Sequence, residues 1–247
     1  GGPLAGSRAV INMSLGGSVL DAVEQESLDY ATSNGVVVVA AVGNSGPNGN
    51  LSYPGGYAPV IAVASAGWIG EWNNRGVAPF NPACTIIDPA FDARLPGRFW
   101  RQCDVPEPYT SANFYVSSFS SRDPDGLDTG ADYDLDVAAP GSWVVGPWGF
   151  NNGQINYAIA GGTSQATPHV AGIVALMLQK NPALTPAQIE SCLETAAQPL
   201  TDTNQQVSPA PAGLVPAPLI TPANWGTDRS GHGFITADAA LNSSCFS

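Results

Sequence analysis

The sequence predicts an α/β fold: one domain over residues 1–247, built on a parallel sheet with helices on both faces. Three continuous apolar runs carry that prediction: AVINMSL (Ala9–Leu15), VVVVAAV (Val36–Val42) and VIAVASA (Val60–Ala66). Each has the length of a strand, and a stretch with helical spacing separates the first two. Strands apolar at every position need cover on both faces, which a parallel sheet under helices provides. In such sheets ligands collect beyond the carboxyl ends of the strands. Gly16-Gly17 and Gly43-Asn44 lie at those ends.

In chain order, AVINMSL reads as a buried strand stopped by Gly16-Gly17. Leu20, Val23, Leu28 and Ala31 then recur at helical spacing, predicting a helix over Val19–Ser33 closed by Asn34-Gly35. The two further strands follow. From about 67 to 113 the pattern lapses into Pro, Trp, Arg and Asn, and this reads as a disulfide-closed surface insertion. An acidic stretch, Ser121–Asp136, precedes VAAPG (Val137–Gly141), which returns to the core. A long apolar helix is expected over Thr163–Lys180, with Pro168 early enough that its missing N–H costs little. Thr185 caps a further helix with Pro186 at its first position. Residues from about 201 to 225 read as a Pro-rich loop, and ITADAAL (Ile235–Leu241) as a short closing helix.

The chain is 44% hydrophobic and 11% charged, carries a net charge of −12, and has Lys180 as its only lysine. No apolar run reaches membrane-spanning length. An acidic, lysine-poor surface disfavours nucleic acid and anionic membranes as partners. The four cysteines, Cys84, Cys103, Cys192 and Cys245, show no zinc-ligand spacing. Their even number points to two disulfides and a secreted protein in an oxidising compartment. Of the pairings open to them, position favours Cys84–Cys103 within the insertion and Cys192–Cys245 between a late helix and the C-terminus. The chain opens at Gly1 with neither methionine nor leader, so a processed or excised piece is expected.

The chemistry concentrates in GGTSQATPHVAG (Gly161–Gly172). Ser164 follows two glycines that permit a tight turn, and it opens a helix whose positive end favours a developing oxyanion. The ordinary alternative is an N-cap serine. Asn44 stands in a turn at a strand's carboxyl end, placed to donate from its side chain. A nucleophilic serine needs a general base, and the chain has only two histidines, His169 and His232. His169 lies five residues past Ser164, about 140° round the helix axis and so on a different face. His232 lies in GHGF.

VINMSLGG, VVVVAAVGNSG, YPGGYAPVIAVAS, LDVAAPG and GGTSQATPHVAGIVALM occur in the order seen in subtilisin-like serine proteases. The chain resembles that family over most of its length outside the two insertions. The roles that follow are the family's own, as worked out for subtilisin, and come with the resemblance. It implies that Ser164 is the acylated nucleophile and that Asn44 and the Ser164 backbone N–H form the oxyanion hole. It makes His169, in PHVAG, a structural core residue and sets His232, in GHGF, in the turn before the last helix, so neither is expected to be the base. It makes Ser14, Leu15, Gly16 and Gly17 the edge that pairs with a polypeptide substrate. Ala41, Val42 and Gly43 become one wall of the pocket for the residue before the scissile bond, with Ser52 near its floor.

The family's chain order is aspartate, histidine, serine. This sequence matches only the serine end, so the resemblance implies a separate or missing N-terminal segment that supplies Asp and His. The partner expected is that N-terminal chain of the same protease. The resemblance also implies a structural calcium at Asp134 and Asp136, with carbonyls of the YPGGYAPV loop; oxygen ligands suit a hard cation. DPDGLD (Asp123–Asp128) is a further acidic candidate. The chemistry itself needs no cofactor. Two other readings stand beside the endopeptidase: a binding protein that kept the fold without the triad, and the related serine-carboxyl family. That family typically has aspartate where Asn44 stands and lacks PHVAG.

Overall fold

The computed structural model describes residues 6–46, 49–68, 110–111, 114–123, 134–142, 144–149, 155–200 and 227–246. Cys84, Cys103, the Pro-rich loop and most of the expected insertion lie outside these residues.

Strands β1 (Val10–Met13), β2 (Val37–Ala41), β3 (Ile61–Trp68) and β5 (Val137–Pro140) pair in parallel, β2 between β1 and β3, and β5 against β3. Strand β4 (Phe114–Val116) runs antiparallel to the end of β3. The hairpin β6 (Val144–Gly149) and β7 (Ile155–Ala160) forms a second, two-stranded sheet. Neither β4 nor the hairpin is anticipated from the sequence, whose apolar runs there are short and interrupted.

The alternation along β2 explains its unbroken apolar run. Val37 and Val39 face the core formed with helices α2 (Thr163–Lys180) and α3 (Pro186–Ala196). Val38 and Ala40 face the opposite way and pack with Leu28 of helix α1 (Ala22–Ser33) and Val60. Both faces are therefore dry. From α2, Val170, Val174 and Met177 are fully buried, each contributing about 1.5–3 kcal/mol by leaving water.

Three expectations need correction. Strand β1 is an edge, not a buried strand: Ile11 is 40% exposed, and among the described residues no strand pairs with its outer side. Helix α1 starts at Ala22 because Asp21 is its N-cap, accepting from the N–H groups of Val23 and Glu24 at 2.8 and 2.9 Å. Val23 is accordingly exposed. Pro168 is the sixth residue of α2, past the orphan donors of the first turn, so it removes a helix hydrogen bond.

The other termini follow their sequence signals. Val36 N–H bonds the Ala31 carbonyl and Gly35 N–H that of Thr32, the paired bonds of a Schellman ending. Thr185 and Gln188 form a capping box on α3. Two short helices, α4 (Thr227–Ser230) and α5 (Ala237–Leu241), precede a final 3₁₀ turn. Cys192 of α3 and Cys245 of that turn form a disulfide with a Cα–Cα distance of 6.0 Å. No helix among the described residues is long and apolar enough to cross a membrane.

Candidate active site

The carboxyl ends of β1 and β2 and the N-terminus of α2 converge. After β2 the chain turns at Gly43, whose φ of +99° disfavours side chains; a Cβ there would also fall 2.2 Å from Ser52 Oγ. This turn presents Asn44 to solvent. Asn44 Oδ1 accepts from both Thr163 N–H (2.9 Å) and Thr163 Oγ1–H (3.0 Å). Its orientation is thereby fixed with Nδ2 outward, and among the described residues nothing accepts from Nδ2. Gly162, the N-cap of α2, lies beneath it; a Cβ there would come within 3.5 Å of that nitrogen.

Ser164 is the second residue of α2, and Gly162 caps the helix without a side-chain bond. Ser164 is therefore not an N-cap. Its Oγ–H donates to the Ser14 carbonyl at 3.2 Å, and Ser14 Oγ–H donates to the Ser164 carbonyl at 2.8 Å. As the second helical residue, Ser164 has a backbone N–H without an intrahelical acceptor. That donor and the Asn44 amide are contributed by adjoining turns, tied together by Thr163.

Ser14 is half-buried, whereas Leu15, Gly16 and Gly17 are exposed. Gly17 exchanges both backbone bonds with Tyr53 at 2.8 and 2.9 Å, so the edge left open is shorter than the sequence implied. Ala41 and Val42 are buried, and Val42 packs with Leu51 and Ala62. The wall they supply is thus backbone, completed by Gly43. Ser52 lies between the two glycine segments: a Cβ on Gly16 would stand 2.8 Å from Ser52 Cβ, as one on Gly43 would crowd its hydroxyl.

Neither histidine adjoins Ser164 Oγ by any hydrogen bond. His169 is exposed, a correction to its expected core position, and its Nδ1 bonds the Gln165 carbonyl of its own helix at 2.8 Å. His232 Nδ1 lies 3.7 Å from Glu194 Oε1 at another part of the molecule.

There, Asp134, Asp136 and Glu194 bring one carboxylate oxygen each within 4.8 Å of one another. Asp136 is fully buried; its Oδ2 accepts from Ala62 N–H at 2.6 Å, while Oδ1 has no hydrogen-bond partner among the described residues. Burial, then Glu190 and Asp134, push its pKa well above the usual carboxylate range, against the Ala62 N–H. The orphaned oxygen and the hard donor set fit a cation such as calcium. Sequence reasoning found Asp134 and Asp136 but not Glu194, which arrives on α3 from far along the chain. Of DPDGLD, only Asp123 is described; it is buried and is not a member of this cluster. Thr163 and Asn12, whose Nδ2 donates to Ser14 Oγ at 3.1 Å, were also missed; adjacency to Ser164 and Ser14 was their only signal.

A family model described as "Subtilase family" matches residues 5–214. The chain is 34% identical over 212 residues to alkaline elastase YaB of Bacillus sp. (strain YaB), covering 86% of this chain and 40% of that protein. Subtilisin Savinase of Lederbergia lenta gives the same identity over 212 residues, with 86% and 56% covered. Among solved structures, sphericase aligns with a TM-score of 0.58 at 28% identity, over 93% of this chain and 57% of that one. The chain thus spans between two fifths and three fifths of these relatives' lengths.

Proposed function

Since the chain belongs to the subtilase family, we propose that it is the serine-bearing part of an endopeptidase whose triad Asp and His come from a separate N-terminal segment. One observation carries this reading: Ser164 does no capping work, and it stands beside an Asn44 amide whose other end is held by two bonds from Thr163.

In the reaction, Ser164 Oγ attacks the peptide carbonyl carbon while its proton passes to the histidine of the companion segment. The carbonyl oxygen becomes an oxyanion, met by Asn44 Nδ2–H and the Ser164 N–H. The C–N bond then breaks, the histidine returns the proton to the leaving amine, and water hydrolyses the acyl-enzyme by the same steps reversed. Leu15 and Gly16 pair with the extended substrate backbone. Ser52, between Gly16 and Gly43, narrows the adjoining pocket. The outer edge of β1, which pairs with no strand among the described residues, and the exposed Ile11 support docking of the companion segment there. Asp134, Asp136 and Glu194 would hold a structural calcium, which supplies charge neutralisation and takes no part in bond breaking. The Cys192–Cys245 bond supports an extracellular setting.

Labelling with a fluorophosphonate tests the reading. Ser164 should react only when the N-terminal segment is present, and Ser164→Ala should abolish the reaction. Rapid labelling of the 247-residue chain alone would place the base within it. No labelling of the assembled pair would favour the non-catalytic binding protein.

A further inference from the structure

Pro168 has no N–H to give the carbonyl of Ser164, four residues earlier on α2. A carbonyl freed inside a helix requires another donor. Ser14 Oγ–H supplies it at 2.8 Å. The direction of that proton is fixed by a third residue: Asn12 Nδ2 donates to Ser14 Oγ at 3.1 Å, which turns the Ser14 hydrogen toward Ser164. Ser164 Oγ–H in turn donates to the Ser14 carbonyl at 3.2 Å. One residue at the end of β1 thus engages both the carbonyl and the hydroxyl of Ser164, across 150 positions of sequence.

We propose that the Ser14 side chain is a positioning residue for Ser164, replacing the helix hydrogen bond that Pro168 removes. Holding the Ser164 carbonyl fixes ψ at that residue, so χ1 is the freedom left to aim Oγ. When the base takes the Ser164 proton, the bond from Ser164 Oγ to Ser14 is given up, but the bond from Ser14 Oγ to the Ser164 carbonyl persists. The clamp therefore survives the chemical step. This inference rests on the endopeptidase reading for its catalytic consequence, not for the contact itself.

The test is a cycle of Ser14→Ala and Pro168→Ala in the assembled protease, with Ser14→Thr as the conservative variant. Ser14→Ala should lower kcat and the fluorophosphonate labelling rate by about tenfold, with KM within about twofold. Ser14→Thr keeps the hydroxyl and should recover to within about threefold of the parent. Pro168→Ala returns an N–H to the helix, so in that background Ser14→Ala should cost about threefold or less. Thermal melting reads the same coupling without catalysis: Ser14→Ala should lower Tm by about 2–4 °C, and by less than half that in the Pro168→Ala background.

Equal losses in both backgrounds, or a loss confined to KM, would overturn the proposal. If the parent fails to label while the melting cycle shows coupling, the endopeptidase reading falls and the Ser14 contact stands. If the parent labels and both cycles are additive, the contact falls and the endopeptidase reading stands.

Discussion

At its carboxyl end β5 runs into Gly141, whose carbonyl accepts from Gly162 N–H at 2.8 Å beneath the Ser164 turn. At its amino end, one residue before Val137, stands Asp136 among Asp134, Glu190 and Glu194. At the first end Asn44 is exposed and Ser164 half-buried, yet both are oriented by partners: Asn44 by Thr163, Ser164 by Ser14. At the second end Asp136 is buried, yet one of its oxygens has no hydrogen bond among the described residues and the neighbouring carboxylates repel its charge. Exposed groups can be left unpaired at little cost, so their pairing here reflects aim. Buried charges cost most when unpaired, so their crowding marks a place that a proton or a cation must complete. On the endopeptidase reading proposed above, the contrast places rate at one end of the strand and stability at the other.

The largest effect should come from the frame of the amino end. Cys192 lies on α3 between Glu190 and Glu194, and its bond to Cys245 closes a loop of 53 residues' separation. Loop entropy for that length corresponds to about 4 kcal/mol. The double variant Cys192→Ala/Cys245→Ala should lose stability of that order in denaturant melts. Its Ser164 labelling rate, measured well below the new Tm, should stay unchanged. A loss of rate with the fold intact would show that the two ends are coupled.

At the carboxyl end, Asn44→Leu in the assembled protease should lower kcat by about 10²–10³ and leave KM nearly unchanged. That magnitude is carried over from the matching donor of subtilisin, for which it is known; the geometry here supplies the direction alone. Leucine keeps the volume and removes the donor. A near-normal kcat would make Asn44 an ordinary turn residue, and a loss expressed in KM would move it to substrate binding.

The same contrast explains what the sequence could reveal. Apolar run length identified β2 and β3 because both faces of those strands are buried, and helical spacing identified α2 from its buried stripe of Val170, Val174 and Met177. Strand β1 misled: Val10–Met13 is apolar enough for a core strand, but among the described residues no strand pairs with its outer side. The hairpin β6–β7 contains Gly146, Pro147 and Asn156, which break the alternation a strand would show. At the candidate site, Ser164 and Asn44 were singled out from contiguous motifs, and folding brings their turns together through Thr163. The carbonyl that Pro168 leaves free, the Ser14 donor and Glu194 were not, because each depends on a partner brought near only by folding.

The amino end makes a prediction about pH. Asp136 holds its proton more tightly folded than unfolded, because burial and neighbouring carboxylates disfavour its charge. The native state therefore binds more protons, and stability falls as pH rises above 3.8 towards the raised native pKa. Below 3.8 both states are protonated, and the penalty vanishes. In a chelator, Asp136→Asn should raise Tm at pH 7 by several degrees, at about 2–4 °C for each kcal/mol relieved. The gain should shrink as pH is lowered towards 4. With calcium added, the parent should be stabilised and the variant should not. Equal Tm values for the two proteins at every pH would mean that Asp136 carries no such penalty.

The smallest effect expected separates aim from contact at the carboxyl end. Thr163 is fully buried, and its hydroxyl is one of two donors that hold Asn44 Oδ1. Thr163→Val keeps the shape and the backbone N–H but removes the hydroxyl donor. Losing one of two orienting bonds should lower kcat by about threefold to tenfold. Substrate does not meet this side chain, so KM should hold, and Thr163→Ser should restore the rate. The decisive measurement is Thr163→Val in the Asn44→Leu background, where no amide remains to be aimed. If Thr163 acts through Asn44, the second substitution should cost nothing further there. A repeat of the full single-variant loss would show that Thr163 serves the reaction by another route.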